Sequence, residues 1–255
     1  MIEPSEPQKN EPDRPQGKYD VPSGWGHEEL SKFWDAARRN QIATFVRKGA
    51  AYSKLARIDA LFCAISKDWL NPSDEIAALL LLRTQSAFRT AAGLAAAGQA
   101  AEAYVLNRSV LENAAYALHL NKNPALRKVW LDRHVDASSL EASANSLSHR
   151  KVQKTVTQAN RHAGEQFEKL YQQTIDFGGH PNERSVTGNM KMQKQPGRRE
   201  MLAILQHGDG VHLDAILKAT ARCGLCSLEI LQGIFNPRFE LLGVNAAMLE
   251  LRRGL

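Results

Sequence analysis

The stretch EIAALLLLRTQSAFRTAAGLAAA, residues 75–97, is apolar on nearly every side of the helix that it predicts. Such a helix usually lies in the middle of a bundle, because none of its faces suits water. A short turn at Gly98 follows, and a second helix is predicted from about Ala100. Two helices joined this tightly run antiparallel, so the sequence predicts a central antiparallel helical hairpin.

Helical periodicity continues on both sides of this hairpin. The segment HEELSKFWDAARRNQIATFVRK predicts a first helix, and apolar residues at alternating spacings of four and three predict a second one between residues 51 and 69. Beyond the hairpin, the pattern predicts a short helix to about His134, a long helix over residues 149–177, and helices over about 211–235 and 239–253.

The alternating stretch SVTGNMKMQKQPGRREMLAIL predicts one small β-hairpin near residues 185–206, with its turn at Pro196 and Gly197. The predicted fold class is therefore mostly α, a multi-helix bundle with this single β-hairpin. Residues 1–24 are rich in Pro, Glu, Gln and Lys and hold few apolar side chains to offset the entropy of ordering. We therefore expect a disordered tail over residues 1–24 and a single helical domain over residues 25–255.

Several classes of protein are excluded by composition. The longest purely apolar run, IAALLLL, has 7 residues, whereas a membrane span needs about 20. The first residues have neither a basic start nor an apolar core, so we expect no signal peptide. Three cysteines cannot form a disulfide framework. The expected location is the reducing cytoplasm, with no membrane partner.

The net charge of +6 is concentrated between residues 149 and 199, which hold 10 Lys and Arg against 4 Asp and Glu. A basic segment of this kind is either a solvated face or a surface for an acidic partner such as RNA. The residues expected to contact nucleic acid are Arg150, Lys151, Lys154, Arg161, Lys191, Lys194, Arg198 and Arg199.

The helix NRSVLENAAYALHL, residues 107–120, carries three polar side chains on one edge. Glu112 lies about 40° round the helix from Arg108, and His119 about 20°. One interpretation is a site in which Arg108 holds an anion and Glu112 orients it or acts as a base. The other is an ordinary ion pair between residues four apart.

Residues outside this helix are candidate partners for its polar edge. Folding the hairpin about Gly98 puts Arg89 level with Arg108 and Gln85 level with Glu112, which would supply hydrogen-bond partners for buried charges. His180, in the loop DFGGHPNERS, is the candidate third catalytic residue. An exposed histidine at a plain helix stop is the competing interpretation.

Arg127 and His134, in RKVWLDRH, are an alternative catalytic pair, because residues seven apart share a helix face to within about 20°. An arginine followed after four to six residues by a histidine resembles the motif of HEPN-type helical proteins. That resemblance implies cleavage of RNA phosphodiesters, usually across a dimer. The family's small polar residue after the arginine is replaced here by Lys128.

A looser resemblance covers roughly residues 76–184. The order LLRTQSAFR, GQAAEAYVLNRSVLENAAYALHLNKNP and DFGGHPN is similar to a group of uncharacterised helical bacterial proteins, some of them of phage-defence type. This resemblance implies a helical fold and a bacterial origin.

Two motifs that contain cysteine or histidine are candidate metal sites. CGLC, residues 223–226, falls inside a predicted helix and lacks a second matching pair, so core cysteines are expected. His207, Asp209 and His212 could hold a metal, but a helix cap is the preferred role for Asp209. We therefore expect no metal and no cofactor.

The sequence thus favours RNA binding, and metal-independent RNA cleavage, by a bacterial helical protein of HEPN-like type. A second copy of the chain is a further expected partner. The rival hypothesis is a non-catalytic bundle that binds another helix or itself, with the polar edge fixing register. A third is a small-molecule pocket between helices.

Overall fold

The structure is a computed structural model that describes residues 21–69, 72, 74–179, 181–195 and 198–255. The chain divides into two compact units, with the boundary after Asp35. The tail predicted over residues 1–24 lies outside the described residues as far as residue 20. The mostly α fold class is confirmed, and none of the described helices is both long and apolar enough to cross a bilayer.

The elements follow one another in a simple order. The helices are α1 (Glu29–Arg47), α2 (Gly49–Ser66), α3 (Glu75–Ala96), α4 (Ala100–Lys122), α5 (Ala125–Leu131), α6 (Ala137–Ser146), α7 (His149–Ala159), α8 (Arg161–Thr174), α9 (Glu183–Thr187), α10 (Val211–Leu241) and α11 (Val244–Leu251). A π-helical turn, Ile175–Gly179, extends α8, and the strands are β1 (Met190–Gln195) and β2 (Arg198–Ala203).

The predicted hairpin of α3 and α4 is present and central. Helix α4 packs against α3 on one side, against α10 on another, and against α7 and α8 on a third. Gly98 turns the chain with a φ of +78°, and a Cβ there would lie 2.1 Å from the carbonyl oxygen of His207. The turn therefore needs glycine both for its backbone conformation and for this close approach.

Helix α10 closes the core against α2, α3 and α4. Gly224 lets it approach, since a Cβ at this position would meet the Phe88 ring at 2.5 Å and Ile58 at 2.9 Å. The break predicted near residue 235 is present as a kink, since Phe235 has the non-helical φ and ψ of −113° and 26°, and a second helical segment follows it to Leu241. Pro237 explains the kink, because its ring cannot fit a regular helix interior.

The long helix predicted over residues 149–177 is two helices, α7 and α8. Asn160 adopts an extended backbone, with φ −153° and ψ 109°, and its side chain accepts a hydrogen bond from the Ala163 N–H at 3.0 Å. The asparagine therefore ends α7 and caps α8. Gly164 allows the two helices to fold closely, since a Cβ there would lie 2.3 Å from the Thr157 hydroxyl.

The part of α1 that follows residue 35 is attached to the C-terminal end of α3 by side chains that donate to backbone carbonyls. The carbonyls of Ala96 and Ala97 lie at the end of the helix, where carbonyls lack the usual helical partner, and that of Gly93 also accepts from the Ala97 N–H at 3.0 Å. The three bonds run from Asn40 Nδ2 to Ala97 O (3.2 Å), from Gln41 Nε2 to Gly93 O (3.0 Å) and from Thr44 Oγ1 to Ala96 O (2.8 Å).

The predicted β-hairpin is confirmed. Strands β1 and β2 pair antiparallel, with Met190 opposite Ala203 and Gln195 opposite Arg198. The predicted turn at residues 196 and 197 lies outside the described residues. Behind the hairpin, the Ile204 N–H donates to the Asn189 carbonyl at 2.7 Å and the His207 N–H to that of Gly98 at 2.8 Å, which ties the hairpin to the α3–α4 turn.

Candidate functional site

Arg108 and Glu112, two of the predicted site residues, form an ion pair on α4. A tyrosine of α8 bonds to the same carboxylate. The Nε of Arg108 donates to Glu112 Oε1 at 2.9 Å, and the Tyr171 hydroxyl donates to the same oxygen at 3.2 Å. The Arg108 guanidinium carbon lies 5.1 Å from the centre of the Tyr171 ring, within range of a cation–π interaction. Glu112 therefore orients both side chains.

His149, the first residue of α7, stacks on the other members of this cluster. Its ring centre lies 4.0 Å from that of Tyr171 and 5.7 Å from that of Phe167, with interplanar angles near 20°. Its Nε2 donates to Glu168 Oε2 at 3.0 Å. Since Nε2 holds the proton in this bond, the neutral ring keeps Nδ1 as its proton acceptor.

These side chains line a cleft of about 170 Å³ between α4, α7 and α8. We call the four residues Arg108, Glu112, His149 and Tyr171 the cleft cluster. Arg108 and Glu112 keep 29% and 38% of their side-chain surface exposed, so the ion pair is open to solvent, whereas Tyr171 is buried.

The electrostatics of the cleft cluster keep its phenol neutral and its guanidinium charged. Burial, followed by the negative charge of Glu112, raises the pKa of Tyr171. Burial alone would lower the pKa of Arg108, but the hydrogen bond and charge of Glu112 outweigh it and raise the value. Near neutral pH, Tyr171 is therefore a hydrogen-bond donor and Arg108 a permanent cation.

The predicted third catalytic residue, His180, lies outside the described residues. The π-helical turn before it packs tightly on α4, since a Cβ on Gly178 would lie 2.4 Å from the Ala101 carbonyl oxygen and 2.8 Å from Tyr104 Cβ. After it, Asn182 caps α9 and its side-chain amide donates to the Ile175 carbonyl at 2.9 Å.

His119, which shares the helical edge with Arg108 and Glu112, has a different environment. Only 5% of the residue is exposed. Its Nδ1 lies 2.7 Å from the Thr155 hydroxyl, and its Nε2 donates to the Ser146 carbonyl at 3.3 Å. Burial lowers the pKa of this imidazole, so the neutral ring joins α4 to α6 and α7 as a structural group.

The expected pairing of Gln85 and Arg89 with the cleft cluster was wrong. Both side chains turn to α2: Arg89 bonds Asp59 through its Nε at 2.7 Å, and the Gln85 amide donates to the Cys63 sulfur at 3.2 Å. The fold of the hairpin determines the position of a residue along the axis of α3. The direction of its side chain depends instead on its angle round that axis.

The alternative pair, Arg127 and His134, does not share a helix face. Helix α5 ends at Leu131, and His134 is exposed in the turn that follows. The Nη2 of Arg127 bonds Asp74 Oδ2 at 2.6 Å, and Asp74 is the buried residue that caps α3. Arg127 therefore has a structural partner.

The basic residues predicted to bind nucleic acid are divided between two ends of α4. Arg150, Lys151 and Lys154 are exposed on α7, which packs against the C-terminal half of α4, and Arg161 is exposed on α8 and pairs with Glu165 at 2.9 Å. Lys191 and Lys194 lie on β1, and Arg198 and Arg199 on β2, in the hairpin tied to the α3–α4 turn.

The remaining motifs are structural. Cys223 and Cys226 are buried in α10, and burial raises the pKa of Cys223 to about 12. Asp209 pairs with Lys48 at 2.6 Å. His207 and His212 stack at 4.7 Å, yet within the described part of the chain no three His, Cys, Asp or Glu side chains are grouped to hold a metal.

Sequence reasoning missed His149, Glu168 and Tyr171. Tyr171 follows Phe167 by four residues, so it could have been placed on the buried stripe of α8. No spacing links His149 with Arg108, because the fold joins residues 41 positions apart.

Comparison of the chain with models of known protein families, with curated proteins and with solved structures found no match. The resemblance to HEPN-type proteins stays a prediction from its motifs.

Proposed function

We propose that this protein binds single-stranded RNA and cleaves it, without a metal ion, at the cleft cluster. The observation that carries the proposal is that Arg108 and His149 both lie against Tyr171 in one open cleft of about 170 Å³. A permanent cation beside an imidazole with a free nitrogen is a combination suited to phosphodiester transfer.

Arg108 would hold the phosphate. Its Nε is committed to Glu112 and the guanidinium also interacts with Tyr171, which leaves the remaining N–H groups to bond a phosphate. A guanidinium also stabilises the extra negative charge that develops on phosphate oxygens during transfer. Glu112 and Tyr171 would position this cation rather than contact the substrate.

His149 would act as the general base. Its Nδ1 would accept the proton of a ribose 2′-hydroxyl, whose oxygen then attacks the adjacent phosphorus. The bond from phosphorus to the 5′-oxygen breaks, and that oxygen leaves with a proton from solvent, which reaches the open cleft. The products would be a 2′,3′-cyclic phosphate and a 5′-hydroxyl, and DNA would not react because it lacks the 2′-hydroxyl.

Charges on α7 support binding of a polyanion next to this cluster. Residues 149–159 contain three Lys and Arg and no Asp or Glu. The charge of Arg133 acts on Tyr116, so one further cation lies beside the same end of α4. RNA bound at the cluster would therefore extend along α7.

The test uses a fluorescently labelled single-stranded RNA, with anisotropy for binding and gel separation for cleavage. His149→Gln should lower the cleavage rate by about 10²–10⁴-fold while RNA still binds. His134→Gln is the matched control, since His134 is exposed and lies in a turn. Loss of cleavage in the control but not in His149→Gln would indicate that Arg127 and His134 are the catalytic pair.

Binding is tested separately by its salt dependence. Changing Lys151 and Lys154 together to Gln should reduce the slope of log affinity against log salt by about 1–2, because each phosphate contact to a single strand contributes roughly 0.7. Wild-type protein that neither binds nor cleaves RNA at physiological salt would refute the proposal. It would leave the rival, a non-catalytic bundle that pairs with itself or another helix.

A further inference from the structure

A second cavity, of about 520 Å³, lies where α1, α2 and α3 meet. We call it the α1–α3 groove. Its volume is within the range of about 300–1,000 Å³ found for small-molecule sites. It is independent of the cleft cluster, and no residue lines both cavities.

The walls of the α1–α3 groove are apolar and partly exposed. Ile42 and Phe45 of α1 are 57% and 58% exposed, and Tyr52 of α2 packs edge-on against Phe45 at 4.9 Å. The floor is made of small or buried residues of α3, among them Ala92 and Phe88. Exposed apolar surface in a concave site usually indicates a binding site for an apolar ligand.

One end of the groove is polar. Asp59 and Arg89 line it and form a two-bond ion pair of 2.7 and 3.1 Å. Arg89 uses its Nε and Nη2 in this pair, so Nη1 is left to donate to a ligand. From Arg89 to Ala96, the groove follows about 10 Å of α3.

The helices that form the groove are strongly basic. Residues 36–66 and 75–96 hold eight Lys and Arg and two Asp and Glu, a net charge of +6. Five of these cations have no ion-pair partner among the residues that the structure describes, and they are Arg38, Arg39, Arg47, Lys54 and Arg83.

Of these five cations, Arg38 is the one that helical register places on the same side of α1 as the groove. It precedes Ile42 by four residues and Phe45 by seven, so it shares their side of α1 to within about 40°. Arg39 is exposed in the same way but lies about 100° further round. An anion at the mouth of the groove would therefore meet Arg38 and Arg89, with a single carboxylate, Asp59, opposing it.

We propose that the α1–α3 groove binds the free anion of a medium-chain carboxylic acid. The alkyl chain lies between the Phe45–Tyr52 wall and the floor of α3, and the carboxylate accepts hydrogen bonds from Arg89 Nη1 and faces Arg38. Burial of the chain supplies most of the affinity, at roughly 25 cal/mol per Å² of apolar surface removed from water. The cations select the charge of the head group.

Isothermal titration of the full chain with decanoate, below its micelle concentration, is the primary test. We expect saturable binding of one molecule per chain. Decanol should bind at least about fivefold more weakly and decyltrimethylammonium weaker still, because the head group then loses its attraction to the arginines. Equal binding of all three amphiphiles would overturn the assignment of the head-group site.

Variants locate the ligand. Arg38→Glu should weaken decanoate binding by about five- to tenfold, whereas Arg39→Glu, with the same change of charge about 100° round α1 from Arg38, should change it less than twofold. Ala56→Trp fills the groove from an exposed position and should abolish binding. Unchanged binding in Ala56→Trp with a native circular dichroism spectrum would place the ligand elsewhere and refute the proposal.

A lipid surface is the other source of the same head-group chemistry. Flotation with vesicles of neutral phosphatidylcholine and of mixtures containing anionic phosphatidylserine separates the two. We expect neither vesicle to carry the protein. Flotation with anionic vesicles, lost in Arg38→Glu, combined with no binding of free decanoate, would show that the groove contacts a membrane surface instead.

Discussion

Truncating Glu112 should cost an intermediate amount of stability, because the cleft cluster is neither on the open surface nor in the core. Removing one partner of a buried pair costs about 3–5 kcal/mol, whereas an exposed pair contributes about 0–1 kcal/mol. With 29% of the Arg108 and 38% of the Glu112 side chain exposed, the pair lies between these limits. Glu112 also accepts the Tyr171 hydrogen bond, worth about 1 kcal/mol.

We therefore expect Glu112→Ala to lower the free energy of unfolding by about 1–2 kcal/mol. Arg108→Ala should cost a similar amount, since it loses the ion pair and a cation–π contact of about 0.5–1 kcal/mol. The double variant should fall short of the sum by about 0.5–1 kcal/mol, the coupling expected for residues in contact. Urea unfolding followed by far-ultraviolet circular dichroism measures all three.

Two results would contradict this reasoning. Single losses above about 3 kcal/mol would mean that the cleft is closed and the charges are buried. Strictly additive losses would mean that Arg108 and Glu112 do not interact in solution. Measuring RNA cleavage by the same variants separates a structural role of the pair from a functional one. Charges in active sites often reduce stability, so a variant that loses cleavage without losing stability would indicate a functional role.

Three further predictions concern buried groups. Burial lowers the pKa of His119, so the unfolded chain binds a proton at a higher pH than the folded one. Stability should therefore fall as the pH drops below about 6.5. In urea unfolding midpoints measured between pH 7.5 and 5, His119→Gln should reduce this loss. Gly224→Ala should cost about 1–3 kcal/mol in the same unfolding assay, since its Cβ meets an aromatic ring at 2.5 Å, while Gly49→Ala, which meets nothing within 4 Å, should be near neutral. Of the three thiols, only that of the partly exposed Cys63 should react quickly with an aromatic disulfide reagent in the native state. Fast reaction of the two CGLC thiols would contradict their burial.

The central hairpin could be predicted because its information is local. A stretch that is apolar on all sides can be stable only inside a bundle, and a three-residue turn at Gly98 leaves one way to continue. The Arg108–Glu112 pair was predictable for the same reason, since residues four apart on a helix are neighbours.

The rest of the cleft cluster depends on packing between distant segments. His149 reaches Tyr171 because Asn160 breaks the chain between α7 and α8 and folds one helix back on the other. An asparagine inside a helical pattern is also compatible with an unbroken helix, so the break was not predicted. Arg89 shows a second limit of prediction from sequence. Its position along α3 could be predicted, but the neighbouring helix that its side chain faces could not.

The way α1 is attached has a consequence for its motion and for its tolerance of mutation. Asn40, Gln41 and Thr44 bond to carbonyl groups, which α3 presents whatever its side chains are. Substitutions in the last turn of α3 therefore leave these bonds intact, whereas the three residues of α1 cannot be replaced by apolar ones without losing them. Because little apolar surface joins this contact, α1 should also open before the core unfolds, and its amide protons should exchange with solvent faster than those of α4.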